Sequence, residues 1–150
     1  MNDNRVKSIN GVRSKSSLLE ILKALKDEGI ILNCSEGYRC GYPGGYNDQF
    51  YAPFILEFPN RSAWIVFSTN SIRTDRMSIQ QWNAENIKKI NKSIIKAIVV
   101  VPDEVQNNEK ERHEVEKYNE KIQSGKFYSA LDHIYYQSQF AEIVQNNCID

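Results

Sequence analysis

The chain of 150 residues has little that would place it in a membrane or around a structural metal. No apolar run approaches the roughly 18 residues that suggest a membrane span, and the polar start lacks the apolar centre of a secretion signal. We therefore predict a cytoplasmic protein with no membrane partner. Its three cysteines, Cys34, Cys40 and Cys148, are an odd number without the spacing of a zinc site. Free thiols in a reducing compartment are the expected state.

Common catalytic and phosphate-binding motifs are also missing. The sequence has no G-x-x-x-x-G-K-[ST] and no G-x-G-x-x-G after a strand. Its two histidines, His113 and His133, lie in predicted helices far from an obvious nucleophile, so a serine or cysteine triad is not supported. Lys plus Arg total 19 and Asp plus Glu total 19. This balance argues against a uniformly basic protein but allows a local basic face, which is what nucleic-acid binding requires.

The chain does have the patterning of one globular domain. Hydrophobic residues make up 41% and charged residues 25%, which is ordinary for such a domain. We predict a flexible basic arm over residues 1–15 and a single α/β domain over residues 16–150. The predicted elements are a helix over 17–28, a strand over 30–33, a Gly- and Tyr-rich loop over 34–49, hairpin strands over 50–58 and 63–67, a helix over 77–90, a strand over 94–101, a charged helix over 107–123, and shorter helices over 127–134 and 137–146.

This order predicts an α/β (α+β) fold with a single mixed β-sheet and flanking helices. The strand IIKAIVVV, residues 94–101, is almost continuously apolar, which indicates burial on both faces. It should lie parallel to the second hairpin strand after a crossover through the helix over 77–90. In that helix we expect four buried side chains, Ile79, Trp82, Ile87 and Ile90. Pro53 indicates an edge strand or a bulge.

Three carboxylates lie near the ends of the predicted hairpin strands. Asp48 comes just before the first strand, Glu57 lies near its end, and Asp75 follows the second strand. Carboxylates at strand ends are the hard oxygen ligands that a Mg²⁺ site uses together with phosphate oxygens. Two of them also have a purely structural interpretation: Glu57 as a solvent-facing residue beside a turn, and Asp75 as a partner of Arg73 or Arg76 or as a helix start.

A polar segment, STNSIRTDRMSIQQW, runs from Ser68 to Trp82 directly after the second hairpin strand. Hydroxyl and arginine side chains bind phosphate oxygens, glutamine can pair with adenine edges, and arginine can pair with guanine edges. The alternative is a hydrophilic loop with Thr74 or Asp75 capping the next helix and Trp82 in the core. The candidate DNA-binding residues are Ser68, Thr69, Ser71, Arg73, Arg76, Gln80 and Gln81.

The order helix, strand, hairpin, helix, strand resembles the core of the PD-(D/E)XK nucleases. The stretch from Asp48 through APFILEF and AWIVFSTNSIRTDRMSIQQWNAENIKKI looks like one found in some type II restriction endonucleases. The resemblance covers roughly residues 48–102, about a third of the chain. It implies a restriction-endonuclease-like core, a DNA partner, and hydrolysis of DNA phosphodiesters with Mg²⁺ as the cofactor.

The family pattern places an Asp at the start of one hairpin strand and an acidic-x-Lys on the other. Asp48 matches the first position, which makes it the expected metal ligand and catalytic residue. The strand AWIVFS contains no acidic-x-Lys, and the nearest acidic substitutes are Glu57 and Asp75. The resemblance therefore implies Asp48, Glu57 and Asp75 as catalytic candidates, with Asp48 and Glu57 as metal ligands, and a homodimer acting on a palindromic site.

Three functions compete at this point. The first is a Mg²⁺-dependent DNA endonuclease of the restriction type. The second is a non-catalytic DNA- or protein-binding domain of a defence or regulatory system, motivated by the missing acidic-x-Lys and by the charged helix over 107–123. The third is a small-molecule enzyme whose pocket is lined by Tyr38, Tyr42, Tyr46 and Tyr51.

Overall fold

The computed structural model describes residues 17–45 and 48–149, with side chains up to residue 147. The predicted basic arm over 1–15 lies outside the described residues. The elements are α1 (residues 17–27), β1 (Asn33–Cys40), β2 (Phe50–Glu57), β3 (Ala63–Ser68), α2 (Thr74–Ile90), β4 (Ile94–Val101), a short 3-10 helix (Asp103–Asn107), α3 (Glu109–Ser124), β5 (His133–Tyr136) and α4 (Gln137–Ile149).

The five strands form one mixed sheet in the order β1-β2-β3-β4-β5. The first three strands are antiparallel neighbours, whereas β3, β4 and β5 run parallel to one another. The predicted hairpin and the predicted crossover through α2 are therefore confirmed. A single mixed sheet with flanking helices is the fold that the sequence pattern and the nuclease resemblance both indicated.

Apolar side chains form a core on each side of the sheet. Ile65 and Val99 pack in the core that α2 and α3 cover. Val66 and Ile98 point to the opposite core, which α1 and α4 cover. Because β4 contributes buried residues to both cores, its nearly continuous apolar sequence is explained and its predicted burial on both faces is confirmed.

The strand β2 changes face at Pro53. Phe54 pairs with Val66 in the core under α1 and α4, whereas Ala52 belongs to the core under α2. In a regular strand, residues two apart share a face, so the chain is distorted between them. On β1 the matching position is Gly37, whose φ of 74° favours glycine. Pro53 therefore marks a distortion in an internal strand, and the start of β2 is directed toward α2.

Three predicted elements are wrong. The predicted Gly- and Tyr-rich loop contains the eight-residue strand β1, and the predicted short strand over 30–33 ends where β1 begins. Most of β1 is exposed and it lacks an alternating apolar pattern, so its extended form depends on pairing with β2. The predicted helix over 127–134 is a turn that leads into β5. There the Asp132 carboxylate accepts from the Ala97 backbone N–H at 2.8 Å and pairs with Lys88 at 3.0 Å, which holds the segment beside β4.

The inward face of α2 also differs from the predicted one. Ile87 is buried as expected and Ile90 is partly buried, but Ile79 is 60% exposed and Trp82 is 49% exposed. The buried stripe contains polar residues instead, because Gln80 and Asn83 lie with Met77, Ala84 and Ile87 on the side facing the protein. Apolar residue type alone therefore assigned the wrong side of this helix.

The outer edge of β5 is covered by one side chain of α3. The Asn119 carboxamide accepts from the Ile134 N–H at 2.8 Å and donates to the Ile134 C=O at 3.1 Å. These two bonds imitate the pairing that a further strand would offer. Asn119 thereby satisfies a backbone donor and acceptor that would otherwise be free to pair with another chain.

His133, at the start of β5, gives the fold a pH dependence that can be measured. Burial lowers the pKa of His133 from the ordinary 6.5, so the folded chain binds fewer protons there than the unfolded chain just below that pH. Stability from this residue is complete above about pH 6.5 and is lost as the pH falls toward the lowered pKa. We expect His133→Gln to reduce the loss of unfolding free energy between about pH 7.5 and about pH 5.5, measured by urea denaturation. His113→Gln, at an exposed position of α3, is the matched control and should leave that loss unchanged.

Candidate functional site

One end of the sheet gathers most of the polar residues that the sequence singled out. The strands β3, β4 and β5 are parallel, so their carboxyl ends lie along the same edge. The strand β2 runs antiparallel to β3, so its first residues lie at this edge too. We call this end of the sheet the carboxyl edge. In open α/β sheets, ligands bind at such edges.

The segment that leaves β3 forms a hydrogen-bonded cluster at the carboxyl edge. The buried Thr69 donates its N–H to the Val100 C=O at 3.1 Å, which fixes the segment to β4. Its hydroxyl donates to the Ser71 C=O at 2.9 Å and accepts from the Arg76 guanidinium at 3.1 Å. Arg73 pairs with Asp75 at 3.1 Å, and both side chains are more than half exposed. The structure thus brings together five of the candidate residues, with two guanidinium groups near the surface.

The amino terminus of α2 lies in the same cluster. Arg73 occupies the N-cap position, and its side chain makes no capping hydrogen bond to the helix backbone. The Thr74 hydroxyl is engaged with the Tyr118 hydroxyl of α3 at 2.5 Å, so neither predicted cap, Thr74 or Asp75, closes this end. First-turn N–H groups and the helix dipole favour an anion at such a terminus. The cluster therefore has the chemistry of a phosphate-binding surface.

Asp48 lies two residues before β2 and is exposed. The strand start beside it is fixed to α2, because the Tyr51 N–H donates to the Asn83 side-chain oxygen at 2.9 Å. Asn83 in turn donates to the Ile79 C=O at 3.0 Å. Phe50 packs edge-on against Trp82 with ring centroids 4.8 Å apart. Sequence reasoning overlooked Asn83, whose only signal is a polar residue on the inward side of a helix.

Glu57 lies at the opposite end of the sheet from Asp48. It is the last residue of β2, pairs with Ala63 at the start of β3, and forms an exposed ion pair with Arg61 at 3.2 Å. The extended strand from Phe50 to Glu57 spans roughly 23 Å, whereas Mg²⁺–oxygen bonds are about 2 Å long. Asp48 and Glu57 are therefore too far apart to bind one metal ion together, because they flank the two ends of the same strand.

The two candidate glutamines are held within the protein. Gln81 accepts from the Ala130 N–H at 2.9 Å and donates to the Ser129 hydroxyl at 3.4 Å, so its carboxamide fastens the turn before β5. Gln80 is buried, and its side-chain oxygen has no hydrogen-bond partner. In this structure neither glutamine presents its amide to a base edge outside the protein. Ser68, at the end of β3, is partly buried.

The residues present do not fit a complete metal site. Among residues 17–45 and 48–149, no group of three His, Cys, Asp or Glu side chains is placed to hold a metal ion. Asp48 and Asp75 belong to elements that meet at the carboxyl edge, but Asp75 is already paired with Arg73. Of these two carboxylates, only Asp48 is without an ion pair in the described part of the chain.

The tyrosines of the Gly- and Tyr-rich loop tie β1 and its following loop to α2. The Tyr42 hydroxyl donates to the Asn86 side-chain oxygen at 2.7 Å, and the Asn91 amide donates to the Tyr38 hydroxyl at 3.2 Å. Burial raises the pKa of Tyr38. Both hydroxyls therefore serve the packing of the sheet on the helix, which is a structural role.

The chain is similar to a characterised protein over most of its length. It is 34% identical over 132 residues to the type II restriction enzyme BsuFI of Bacillus subtilis, and these residues are 86% of this chain. They are only 32% of the relative, so the chain spans about a third of that enzyme's length. No protein-family model matches the chain. The identity confirms the resemblance to type II restriction endonucleases that the sequence pattern indicated.

Among residues 17–45 and 48–149, no helix is long and apolar enough to cross a membrane.

Proposed function

We propose that this chain is the DNA-directed part of a restriction-type endonuclease, which cleaves phosphodiester bonds with Mg²⁺ in the cytoplasm. The observation that carries the proposal is the 34% identity to a type II restriction enzyme over 86% of the chain. The fold supports it, since the carboxyl edge combines an uncapped helix terminus with exposed arginines.

In this proposal the DNA backbone lies along the carboxyl edge. Arg73 and Arg76 bind phosphate oxygens, and the segment after β3 contributes hydroxyl groups through Ser68, Thr69 and Ser71. Thr69 also orients Arg76 through the 3.1 Å bond between its hydroxyl and the guanidinium. These contacts position the DNA strand and carry no base specificity. Gln80 and Gln81 would first have to leave their places in the protein to reach a base.

Asp48 is the catalytic carboxylate that we propose, and Asp75 is the second candidate. Asp48 is exposed beside the carboxyl edge, where it can bind a cation or orient a water molecule next to a phosphate. Asp75 would act there only after release from Arg73. When bound, Mg²⁺ would supply charge neutralisation and activation of water. Two chains acting as a homodimer would cut both strands of a palindromic site.

The direct test is plasmid cleavage with and without Mg²⁺, accompanied by a DNA-binding measurement at two salt concentrations. The proposal predicts cleavage that requires the added ion and binding that weakens as salt rises. Salt-dependent binding without cleavage would favour a non-catalytic DNA-binding domain. Absence of both activities at protein concentrations that saturate other nucleases would contradict the proposal as a whole.

Arg76 gives a sharper prediction about binding. Arg76→Gln should weaken DNA binding uniformly across sequences and reduce the slope of log affinity against log salt by about 1, because one phosphate contact is lost. The matched control is Arg61→Gln, since Arg61 is also exposed but pairs with Glu57 at the opposite end of the sheet. Fluorescence anisotropy with one labelled duplex at several salt concentrations measures both slopes. Equal slopes for the two variants would remove Arg76 from the interface.

A further inference from the structure

A cleft of about 430 Å³ lies beside β5, apart from the phosphate-binding cluster. Its walls come from α3, β5, the start of α4 and the segment after β4, and its apolar floor contains Val115 and Ile134. A volume of this size is in the range that small-molecule sites occupy. The end of β5 lies at the carboxyl edge with the ends of β3 and β4. The cleft therefore adjoins the carboxyl edge at Tyr136, the last residue of β5.

Two opposite charges line the cleft without pairing with each other. Arg112 and Glu116 are one turn apart on α3, a spacing at which side chains often interact. Among the described residues, however, the Glu116 carboxylate has no ion pair, and Arg112 makes one long bond of 3.5 Å to the Gln106 C=O. The cleft thus offers a bidentate donor and a bidentate acceptor about 5–6 Å apart at their Cβ atoms.

The remaining polar groups of the cleft suit a flat, uncharged ligand. His133 is half-buried, and burial lowers its pKa, so its ring is neutral near pH 7. The side chain of Gln139 accepts from the Tyr136 N–H at 3.0 Å and keeps its NH₂ group for a ligand. Burial and the nearby Glu116 carboxylate raise the pKa of Tyr136, so its hydroxyl remains a donor. Rings and apolar side chains next to a few convergent donors and acceptors are typical of nucleobase sites.

We propose that this cleft binds a guanine base, with Arg112 donating to O6 and N7 and Glu116 accepting from the N1–H and the N2 amino group. Guanine has two acceptors on one edge and two donors on the next. The donor Arg112 and the acceptor Glu116, one turn apart on α3, match these two edges. Adenine offers a single ring acceptor on its major-groove edge, beside an amino donor that Arg112 would oppose. The base can come from a free nucleotide or from an unstacked position in DNA. The inference deepens the proposed function. Where the base comes from DNA, it also rests on that proposed function.

The test is calorimetric titration of the full chain with dGMP, dAMP, dCMP and dTMP, followed by single-stranded oligonucleotides that carry one guanine or none. We expect dGMP to bind about tenfold or more tightly than dAMP. Equal affinities for the four nucleotides would overturn the proposal. A preference for dGMP without one for the guanine oligonucleotide would restrict the site to free nucleotides. It would overturn the proposal that the cleft binds a guanine of DNA.

Base analogues identify the two contacts separately. The nucleotide dIMP lacks the N2 amino group, and 7-deaza-dGMP lacks the N7 acceptor. Glu116→Gln should remove the preference for dGMP over dIMP, whereas Arg112→Gln should remove the preference for dGMP over 7-deaza-dGMP. Glu120→Gln, one turn further along α3 and exposed, is the control that should keep both preferences. If Glu116→Gln lowers all affinities equally, its role is structural and the proposal fails.

Failure of this inference can be told apart from failure of the proposed function. Salt-dependent DNA binding and cleavage with no nucleotide preference would reject the guanine cleft and leave the nuclease proposal intact. A dGMP preference that depends on Arg112 and Glu116, in a chain that neither binds nor cuts duplex DNA, would reject the nuclease proposal and leave the cleft intact.

Discussion

Asp48→Asn is expected to lower the rate of DNA cleavage by about a hundredfold or more, because the carboxylate that would bind the cation or orient the attacking water is lost. DNA affinity should stay within about twofold of the unchanged protein, since phosphate binding resides in the arginine cluster. The carboxylate is exposed and forms no ion pair within the described residues, so the free energy of unfolding should change by less than about 0.5 kcal/mol. Single-turnover cleavage of a labelled duplex at saturating protein measures the loss.

Two carboxylates serve as controls for Asp48. Glu36→Gln changes an exposed carboxylate of β1, and Glu57→Gln changes one at the far end of β2. Both variants should keep the cleavage rate within about twofold, because neither side chain lies at the carboxyl edge. A large loss in Glu57→Gln together with full activity in Asp48→Asn would move the catalytic centre to the other end of the sheet and contradict the assignment.

The parts of the fold that the sequence predicted well are those whose burial is decided locally. Residues 94–101 are apolar because β4 faces two cores, and the buried residues of α3, Val115, Tyr118 and Ile122, stand at helical spacing in the sequence. Such patterns are visible because the side chains on each face contact one continuous core. The crossover through α2 then follows from chain order and the handedness of parallel connections.

The parts that were predicted wrongly depend on partners distant in sequence. The strand β1 has no apolar alternation and becomes extended because β2 pairs with it. The segment before β5 is held by Lys88 and Gln81 of α2, more than 40 residues away. Propensity cannot predict such elements, because tertiary pairing and side-chain hydrogen bonds override it.

The candidate site shows the same division. Hydroxyls and arginines in the segment from Ser68 to Arg76 identified a surface that the fold assembles at the carboxyl edge. Residue type could not reveal that the Gln81 side-chain oxygen accepts a hydrogen bond from the Ala130 N–H. Nor could it reveal that Glu57 lies at the opposite end of β2 from Asp48. Those facts follow from strand direction and from contacts across about 50 residues of sequence, so they depend on the three-dimensional fold.

Asn83→Ala should have the second large effect, on stability and on cleavage together. It removes the acceptor of the Tyr51 N–H at 2.9 Å and leaves that backbone donor unpaired in a partly buried place, which costs about 1–3 kcal/mol. The loss of stability should appear in urea denaturation as a lower midpoint with an unchanged slope. Asn83 also fixes the start of β2 to α2, so its removal should loosen the chain on which Asp48 lies.

The functional consequence distinguishes a positioning residue from a merely structural one. Because a misplacement of about 1 Å can cost a hundredfold in rate, cleavage by Asn83→Ala should fall by about tenfold or more at temperatures where the protein is fully folded. DNA affinity should change little, since the Arg76 cluster is held by Thr69 and β4. Asn86→Ala, one turn away and bonded to the exposed Tyr42 hydroxyl, is the matched control and should keep the rate. If Asn83→Ala were destabilised but cut DNA at the normal rate, the start of β2 would not need this bond for catalysis, and the position of Asp48 in the mechanism would have to be reconsidered.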